Sequence, residues 1–186
     1  MTDIFTPEQR HVVMSHIRSK DTRPEMLVRR FLHRHGVRYS LHVKYLPGRP
    51  DIVLRKYHTV ILVNGCFWHG HGFSSEDFPL QHENPHCSLF RLPRSHTDFW
   101  EKKIERNISR DEKQHKELTA MGWNVFTIWE CQLRPAEREN TLMGLLRTLN
   151  LILMKNLGVR MGYNAEEEEE GMMRAAENSF SEENEE

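Results

Sequence analysis

The sequence predicts an α/β fold in which helices flank a mixed β-sheet. Two short apolar runs, residues 51–54 and 59–63, are separated by four residues and indicate a hairpin. A long charged segment with apolar residues at helical spacing follows at about 97–121, and residues 123–129 then alternate like a strand. Helices and strands in this order favour a sheet with helices on its faces.

Local signals predict the elements of the N-terminal half. Residues 7–20 are expected to form a short basic helix after a Thr-Pro pair. A second helix is expected from Thr22, because Thr22 and Glu25 have the spacing of a capping box. Gly36 is a residue type that ends helices, and residues 37–43 are then predicted to form a strand.

The C-terminal half is interpreted in the same way. The run at 59–63 is apolar throughout, which favours a position in the middle of the sheet. Ser95 or Thr97 is expected to cap the long helix, and residues 141–157 are expected to form a last amphipathic helix. The apolar positions of the long helix that follow helical spacing are Phe99, Trp100, Ile104, Ile108, Leu118 and Met121.

Charge is distributed unevenly along the chain. Residues 166–186 contain ten Glu and one Arg, whereas the remaining residues contain 25 Lys and Arg against 17 Asp and Glu. A basic body suits a polyanionic partner, although an ordinary solvated surface would give the same count. We expect one domain at residues 1–157 and a disordered Glu-rich tail at residues 158–186, because such a tail cannot bury enough apolar surface to fold.

Membrane and secreted proteins are not expected from this sequence. No run approaches the roughly 18 apolar residues of a membrane span, and the N-terminus lacks a signal-peptide pattern. The three cysteines cannot all pair in disulfides, which points to free thiols or metal ligands. We therefore expect a cytoplasmic protein.

The segment from Leu46 to His71 contains several kinds of chemistry. Asp51 begins a strand directly after Gly-Arg-Pro, where a carboxylate can bind Mg²⁺ through oxygen. An Asp that only forms a turn is the commoner case when the residue is considered alone. Phe67 and Trp68 are expected to be exposed and able to stack on bases. Together with possible zinc ligands, these residues indicate a metal-dependent nuclease.

A zinc site is suggested by Cys66 and His71, which lie five residues apart and suit one tetrahedral ion. Cys87 and Cys131 would complete a Cys₃His site that uses every cysteine of the chain. Ordinary buried thiols are the alternative interpretation. The histidines that compete for the fourth position are His69, His71 and His86.

Two further features are candidates for catalysis. His69 is a candidate general base if a phosphate lies beside it, and a loop histidine without a role if none does. Asn107 and Asp111 lie four residues apart on one face of the long helix, which could bring a second carboxylate to the site. A solvated helix face is the ordinary alternative for these two residues, and the capping box alone explains Glu25.

Six blocks of the sequence, in this order, resemble the very short patch repair endonucleases, bacterial enzymes that nick DNA at T:G mismatches. The blocks are IRSKDTRPE, LPGRPDIV, VNGCFWHGH, HCSLFRLP, DFWEKKIERNISRD and GWNVFTIWEC, and they extend from about Arg10 to Leu133. The resemblance implies a core like that of type II restriction endonucleases. It also implies a monomer associated with the nucleoid, a double-stranded DNA substrate with a T:G mismatch, and downstream repair proteins as partners.

The resemblance also implies roles for individual residues. A catalytic Mg²⁺ would be bound by Asp51 and by the backbone carbonyl of Val63. His69 would activate the attacking water, and Glu25 and Asp111 would support the active site. A structural Zn²⁺ would be held by Cys66, His71, Cys87 and Cys131. The residues expected to contact DNA are Met14, Phe67, Trp68, Trp100, Lys103 and Asn107.

Three features depart from this family. The usual nuclease core has an acid-x-Lys sequence where this chain has Val63, Asn64 and Gly65. The mismatch family also lacks that sequence and often has Thr-His at the first two positions, so the departure is Asn64, which cannot act as an acid or base. Residues 72–86 separate the zinc histidine from Cys87, whereas the family usually places its next cysteine two residues after the histidine. The Glu-rich tail has no counterpart in the family.

Two other functions are compatible with the same residues. One is a restriction-like or homing-like nuclease without mismatch preference. The other is a zinc-stapled DNA-binding module with weak catalysis, for which Asn64 is the supporting feature.

Overall fold

The computed structural model describes residues 20–73 and 87–160, together with the single residues 6, 8, 9 and 12. Of the helix expected at 7–20, Glu8, Gln9 and Val12 are helical, and the other positions up to Ser19 lie outside the described residues. The Glu-rich tail and most of the segment between the zinc histidine and Cys87 also lie outside them.

The described residues form three α-helices and four strands. In chain order these are α1 (Arg23–Arg34), β1 (Ser40–Leu41), β2 (Ile52–Leu54), β3 (Thr59–Asn64), α2 (Thr97–Ala120), β4 (Asn124–Trp129) and α3 (Arg138–Arg160). Short 3₁₀ helices follow β2 at Arg55–Tyr57 and β4 at Glu130–Leu133. The predicted mixed α/β fold is confirmed, whereas its likeness to a restriction-endonuclease core stays a prediction.

The sheet has the strand order β1-β2-β3-β4. β1, β2 and β3 are antiparallel neighbours, and β4 joins β3 in parallel. A parallel pair needs a long crossover, which here contains α2. The predicted central position of residues 59–63 is confirmed, because β3 lies between β2 and β4.

This topology collects chemically useful residues at one edge of the sheet. β2 begins at the edge where β3 ends, because the two strands are antiparallel with Ile52 opposite Ile61. β4 ends at the same edge, because it is parallel to β3 with Trp129 opposite Asn64. The residue before β2 and the residues after β3 and β4 therefore meet there.

Two clusters of buried side chains hold this arrangement. Leu118 of α2 packs with three residues of the sheet and its approach, Leu46, Val53 and Val60. Ile104 and Ile108 of α2 pack with Phe73, in the segment after β3. The apolar positions in and just after α2 are not buried alike, because Ile104, Ile108 and Leu118 are buried whereas Phe99 is 52% exposed and Met121 is 49% exposed.

Several predicted boundaries need correction. Thr22 caps α1 as predicted, and its Oγ1 accepts the N–H of Glu25 at 3.4 Å. The strand predicted at 37–43 is only two residues long, since His42 has a left-handed φ of 44° and turns the chain. Residue His96 caps α2 with a left-handed φ of 54°, in place of Ser95 or Thr97.

The last helix also differs from its prediction, since it begins at Arg138 and extends to Arg160. The chain divides into two units, residues 1–146 and 147–186. The first unit contains the sheet, α1 and α2, and the described part of the second is the remainder of α3. None of the described helices is long and apolar enough to span a membrane. The domain boundary expected at 157 stays a prediction.

Candidate active site and metal centre

A cleft of about 710 Å³ lies at the sheet edge where β2 begins and β3 ends. The residues that line this cleft belong to loops, helices and strands of the first unit. Its charged and ionisable lining residues are Glu25, Arg49, Asp51, His69, Arg110, Asp111 and Glu130. Carboxylates can bind a metal ion and basic groups can bind a phosphate, so a cleft that contains both suits metal-assisted chemistry on a phosphate.

Asp51 is held at the head of β2 by its neighbouring strand. Oδ2 of Asp51 accepts the backbone N–H of Val63 at 2.7 Å. Burial raises the pKa of the Asp51 carboxyl, and the nearby Glu25 raises it further, against the opposing effects of the Val63 N–H, His42 and His69. A half-buried carboxylate near a second carboxylate is electrostatically costly, and a bound cation would relieve that cost.

Glu25 lies next to this carboxylate, at the first turn of α1. It is only 2% exposed, and its Oε1 accepts a bond from Arg29 at 3.2 Å. The capping interaction therefore accounts for the backbone of Glu25, whose N–H donates to Thr22, but not for its carboxylate, which accepts from Arg29. Ligand atoms of Glu25, His42 and Asp51 all lie within 4.8 Å of one another, close enough to share one metal ion.

His69 is oriented by helix α2. Its Nδ1 lies 2.5 Å from Oδ2 of Asp111, and the Arg110 guanidinium lies 3.1 Å from Oδ1 of the same carboxylate. An ionised carboxylate only accepts hydrogen bonds, so Nδ1 of His69 is the donor and Nε2 is left as an acceptor. This tautomer is the one that a general base requires.

Asn107 lies one turn before Asp111 and contacts the same loop. Its Nδ2 donates to the backbone carbonyl of Trp68 at 2.9 Å. The face that these two residues share is therefore directed at the loop of residues 67–69, and the solvated-face interpretation is wrong for it. The sequence placed both residues on one face but did not reveal what that face contacts.

Aromatic side chains form a cluster beside the cleft. The ring centroids of Phe67 lie 5.0 Å from Trp68 and 5.3 Å from Trp100. Nζ of Lys103 lies 5.4 Å from the Trp68 ring and 5.2 Å from the Trp100 ring, within range of a cation–π contact. Phe67 and Trp68 were expected to be exposed, but they pack against each other and are only half-exposed.

The four predicted zinc ligands meet in one place. Ligand atoms of Cys66, His71, Cys87 and Cys131 lie within 4.8 Å of one another. Nδ1 of His71 is 3.5 Å from Sγ of Cys66 and 3.4 Å from Sγ of Cys131. A tetrahedral ion with ordinary Zn–S and Zn–N bond lengths separates such atoms by about 3.6 Å, so these residues fit zinc. The His71 ring also stacks on Trp129 at 4.1 Å.

The sheet explains why the first and last of these cysteines meet. Asn64 and Trp129 are opposite each other at the ends of the parallel strands, and Cys66 and Cys131 each follow two residues later. Burial raises the pKa of the Cys66 and Cys131 thiols, so without a cation they would keep their protons. A metal ion would supply the charge that stabilises the thiolates.

Among the described histidines, His71 is the one that lies with the thiols, and His69 is engaged by Asp111. His86, the other rival for the fourth position, lies outside the described residues, as does Met14, which was expected to contact DNA. The structure therefore brings together the expected ligand set but gives no position for these two residues.

The comparison with known proteins identifies the family. The family model for DNA mismatch endonuclease Vsr matches residues 2–75. The type II nicking enzyme V.XorIIP of Xanthomonas oryzae pv. oryzae is 45% identical over 133 residues, which cover 72% of this chain and 88% of that protein. The DNA mismatch endonuclease Vsr of Escherichia coli is 36% identical over 138 residues, which cover 74% of this chain and 80% of that protein. This chain belongs to the Vsr DNA mismatch endonuclease family.

A further relative gives a similar match. The type II nicking enzyme V.NmeAIP of Neisseria meningitidis is 46% identical over 134 residues, covering 72% of this chain and 86% of that protein. The resemblance inferred from the six sequence blocks is thereby confirmed. The region matched by the Vsr model contains both the Asp51 strand and the His69 loop.

Sequence reasoning missed several residues of the cleft in this Vsr-family chain. Arg110 and Glu130 each precede a residue that was singled out, and their charge was the available signal. Arg49 lines the cleft with a left-handed φ of 51°, which its place after Gly48 did not reveal. His42 was counted as an ordinary strand residue, and the sequence contains no signal for its position beside the two carboxylates.

Proposed function

We infer that this protein nicks one strand of double-stranded DNA on the 5′ side of the thymine in a T:G mismatch. Such mismatches arise when 5-methylcytosine is deaminated. The observation that most directly supports this function is a single cleft that contains both the half-buried Asp51 carboxylate and the His69–Asp111 pair. Membership of a family of DNA mismatch endonucleases supplies the expected substrate.

The cleft fits a catalytic divalent cation. Asp51 uses Oδ2 for the Val63 N–H, which leaves Oδ1 for a metal, and the Val63 carbonyl is the second expected ligand. Mg²⁺ keeps several waters and takes one or two carboxylates from the protein, as these residues would offer. When bound, the ion polarises the phosphate and lowers the pKa of a coordinated water.

The remaining residues handle the proton and the developing charge. Nε2 of His69 accepts the proton of the water whose oxygen attacks phosphorus. The bond from phosphorus to one sugar oxygen of the strand then breaks, and that oxygen leaves and takes a proton from solvent. Asp111 keeps the imidazole in the accepting tautomer and stabilises the imidazolium that forms. The guanidinium of Arg110 donates to Oδ1 of Asp111, the oxygen that does not contact His69. It adds positive charge to the side of the cleft that would bind the phosphate.

The aromatic cluster supports recognition of a mismatch. Phe67, Trp68 and Trp100 are half-buried, so each has both a packed side and a face for contact with DNA. Inserting such rings unstacks DNA at a cost of roughly a few kcal/mol per step, and the cost is least at a weak pair. Lys103 beside the rings, together with Asn107 and Met14, would contact the DNA near the mismatched pair.

The zinc site has a structural role in this proposal. Cys66 and Cys131 follow the ends of β3 and β4, so an ion held by both joins two neighbouring strands at the cleft. It also fixes the start of the loop that carries Phe67 and His69. The protein would act as a monomer, since every proposed ligand and catalytic group comes from one chain.

Strand mapping on a labelled duplex tests this function. A duplex with one T:G pair is labelled on either strand and incubated with protein and Mg²⁺. A single nick 5′ to the thymine, absent without Mg²⁺ and absent from the guanine strand, is expected. Cleavage of both strands would favour the restriction-like alternative, and binding without cleavage would favour the DNA-binding module.

A further inference from the structure

A histidine for which no role was expected from the sequence lies close to Asp51. β1 and β2 are antiparallel, with Leu41 opposite Ile52, so His42, which follows β1, and Asp51, which precedes β2, lie at the same end of this strand pair. Helix α1 brings Glu25 to the same point, and ligand atoms of the three residues lie within 4.8 Å of one another.

The imidazole of His42 has an unused nitrogen at this point. Its Nε2 is buried and has no hydrogen-bond partner among the residues that the structure describes. It lies 3.4 Å from Oε1 of Glu25 but outside hydrogen-bond geometry, and the whole side chain is 19% exposed. A buried nitrogen without a partner is destabilising unless a ligand satisfies it.

The carboxylates around this nitrogen are only partly neutralised. Arg29 bonds Oε1 of Glu25, and the same Arg29 is also paired with Asp21. Asp51 receives one backbone N–H and has no salt bridge in the described part of the chain. A divalent cation would satisfy the two carboxylates and the imidazole nitrogen at once.

We propose that Nε2 of His42 and the carboxylate of Glu25 are further protein ligands of the divalent cation that Asp51 and the Val63 carbonyl are expected to hold. The assignment rests on the proposed function, because that function places a cation at Asp51. An imidazole ligand favours transition-metal ions over Mg²⁺, which prefers oxygen. This chain is therefore expected to bind Mn²⁺ more tightly than Mg²⁺.

Mn²⁺ binding to the full chain, as purified and without DNA, tests the proposal by electron paramagnetic resonance. The first variant is His42→Asn, because Asn tolerates the left-handed backbone at this position and is too short to replace Nε2. His58→Asn is the matched control, since His58 has a similar φ of 47°, stacks on Trp123 and does not belong to the group of Glu25, His42 and Asp51. Thermal melts establish that each variant is folded, and His42→Gln serves if His42→Asn is not.

His42→Asn is expected to weaken Mn²⁺ binding on the order of tenfold or more, and to reduce the preference for Mn²⁺ over Mg²⁺. The spin echo spectrum of bound Mn²⁺ should show nitrogen coupling in the wild type, in His58→Asn and in His69→Asn, but not in His42→Asn. If His42→Asn keeps the wild-type Mn²⁺ affinity and nitrogen coupling while Asp51→Asn binds Mn²⁺ more weakly, the proposed role of His42 is overturned but the cation site at Asp51 is not. Unchanged binding in both variants would overturn the cation site of the proposed function as well.

Discussion

Nδ1 of His69 lies 2.5 Å from Oδ2 of Asp111, although the two residues are 42 positions apart in the sequence. The pair joins the loop after β3 to the middle of α2. It fixes which imidazole nitrogen is free, because the carboxylate can only accept a hydrogen bond. The long helix therefore contributes a carboxylate to the cleft besides covering the sheet.

Asp111→Asn is expected to reduce nicking, because an amide can stabilise the wrong tautomer of His69 and cannot stabilise its charged form. His69→Ala should lower the single-turnover rate by roughly 10²–10⁴, the usual contribution of a general base, and Asp111→Asn by a substantial part of that. Glu117→Gln, on an exposed position of the same helix, is the control. A wild-type rate in Asp111→Asn would contradict the assignment.

Asp51→Ala is expected to abolish nicking while leaving T:G binding largely intact, because the carboxylate holds the cation and does not contact the bases. Single-turnover nicking and equilibrium DNA binding measured on the same preparation separate the two effects. Retained nicking would remove Asp51 from the site, and lost binding would assign it a different role.

Asp51→Asn should also stabilise the metal-free protein at neutral pH. Burial raises the pKa of this carboxyl in the folded state, so ionising it costs folding free energy. Asp51 therefore contributes most to stability below its unfolded pKa, and that contribution is lost as the pH rises through the folded value. The rise in melting temperature on Asp51→Asn should be present at pH 7 and should shrink towards acidic pH. A constant difference across this range would contradict the burial argument.

Purified protein is expected to contain about one equivalent of zinc, because the four ligands form a closed tetrahedral set. His71→Ala should lose the zinc and lower the melting temperature, whereas His86→Ala should keep it. Metal analysis with thermal melts measures both effects. A zinc-free protein that is folded and active would refute the site, and zinc loss only in His86→Ala would reassign its fourth ligand.

Gly70→Ala is expected to destabilise the fold. Gly70 has a left-handed φ of 64°, and a Cβ there would lie 2.7 Å from Cγ2 of Ile104 and from Cδ1 of Ile108. Overpacking of this kind costs about 1–3 kcal/mol. Gly144→Ala, in helix α3 with nothing within 4 Å of an added Cβ, should instead be neutral or stabilising. Equal unfolding midpoints in urea would contradict the close approach of the loop to α2.

Local sequence signals were enough to predict the elements that are marked by a capping residue or by a pattern of apolar residues. Thr22 begins α1, and the apolar run of β3 lies in the middle of the sheet, as its composition required. The cap of α2 could not be predicted, because His96 adopts a left-handed φ and makes no side-chain cap bond. Phe99 and Met121 share the helical spacing of the buried residues of α2 but are about half exposed, because spacing alone does not show which positions other elements cover.

Some residues of the candidate site could likewise be predicted from local sequence, whereas others depend on how the strands pair. Asp51, Cys66 and His71 could be found because their residue types, crowded into one segment, are unusual. The meeting of His42 with Asp51 depends on strand register, which neither residue reveals alone. Cys131 joins the other candidate metal ligands because β4 is parallel to β3, a long-range pairing that local patterns do not contain.

The most direct test of the proposed function is the ratio of single-turnover nicking rates on two duplexes that differ only by T:G against C:G at one pair. Both rates are measured with Mg²⁺ and excess protein, and Asp51→Ala is run in parallel as the blank. Nicking of the T:G duplex at a rate at least about 10²-fold above the matched duplex, with none in the blank, is the expected result if mismatch selection contributes roughly 3 kcal/mol. Equal rates on the two duplexes would contradict it.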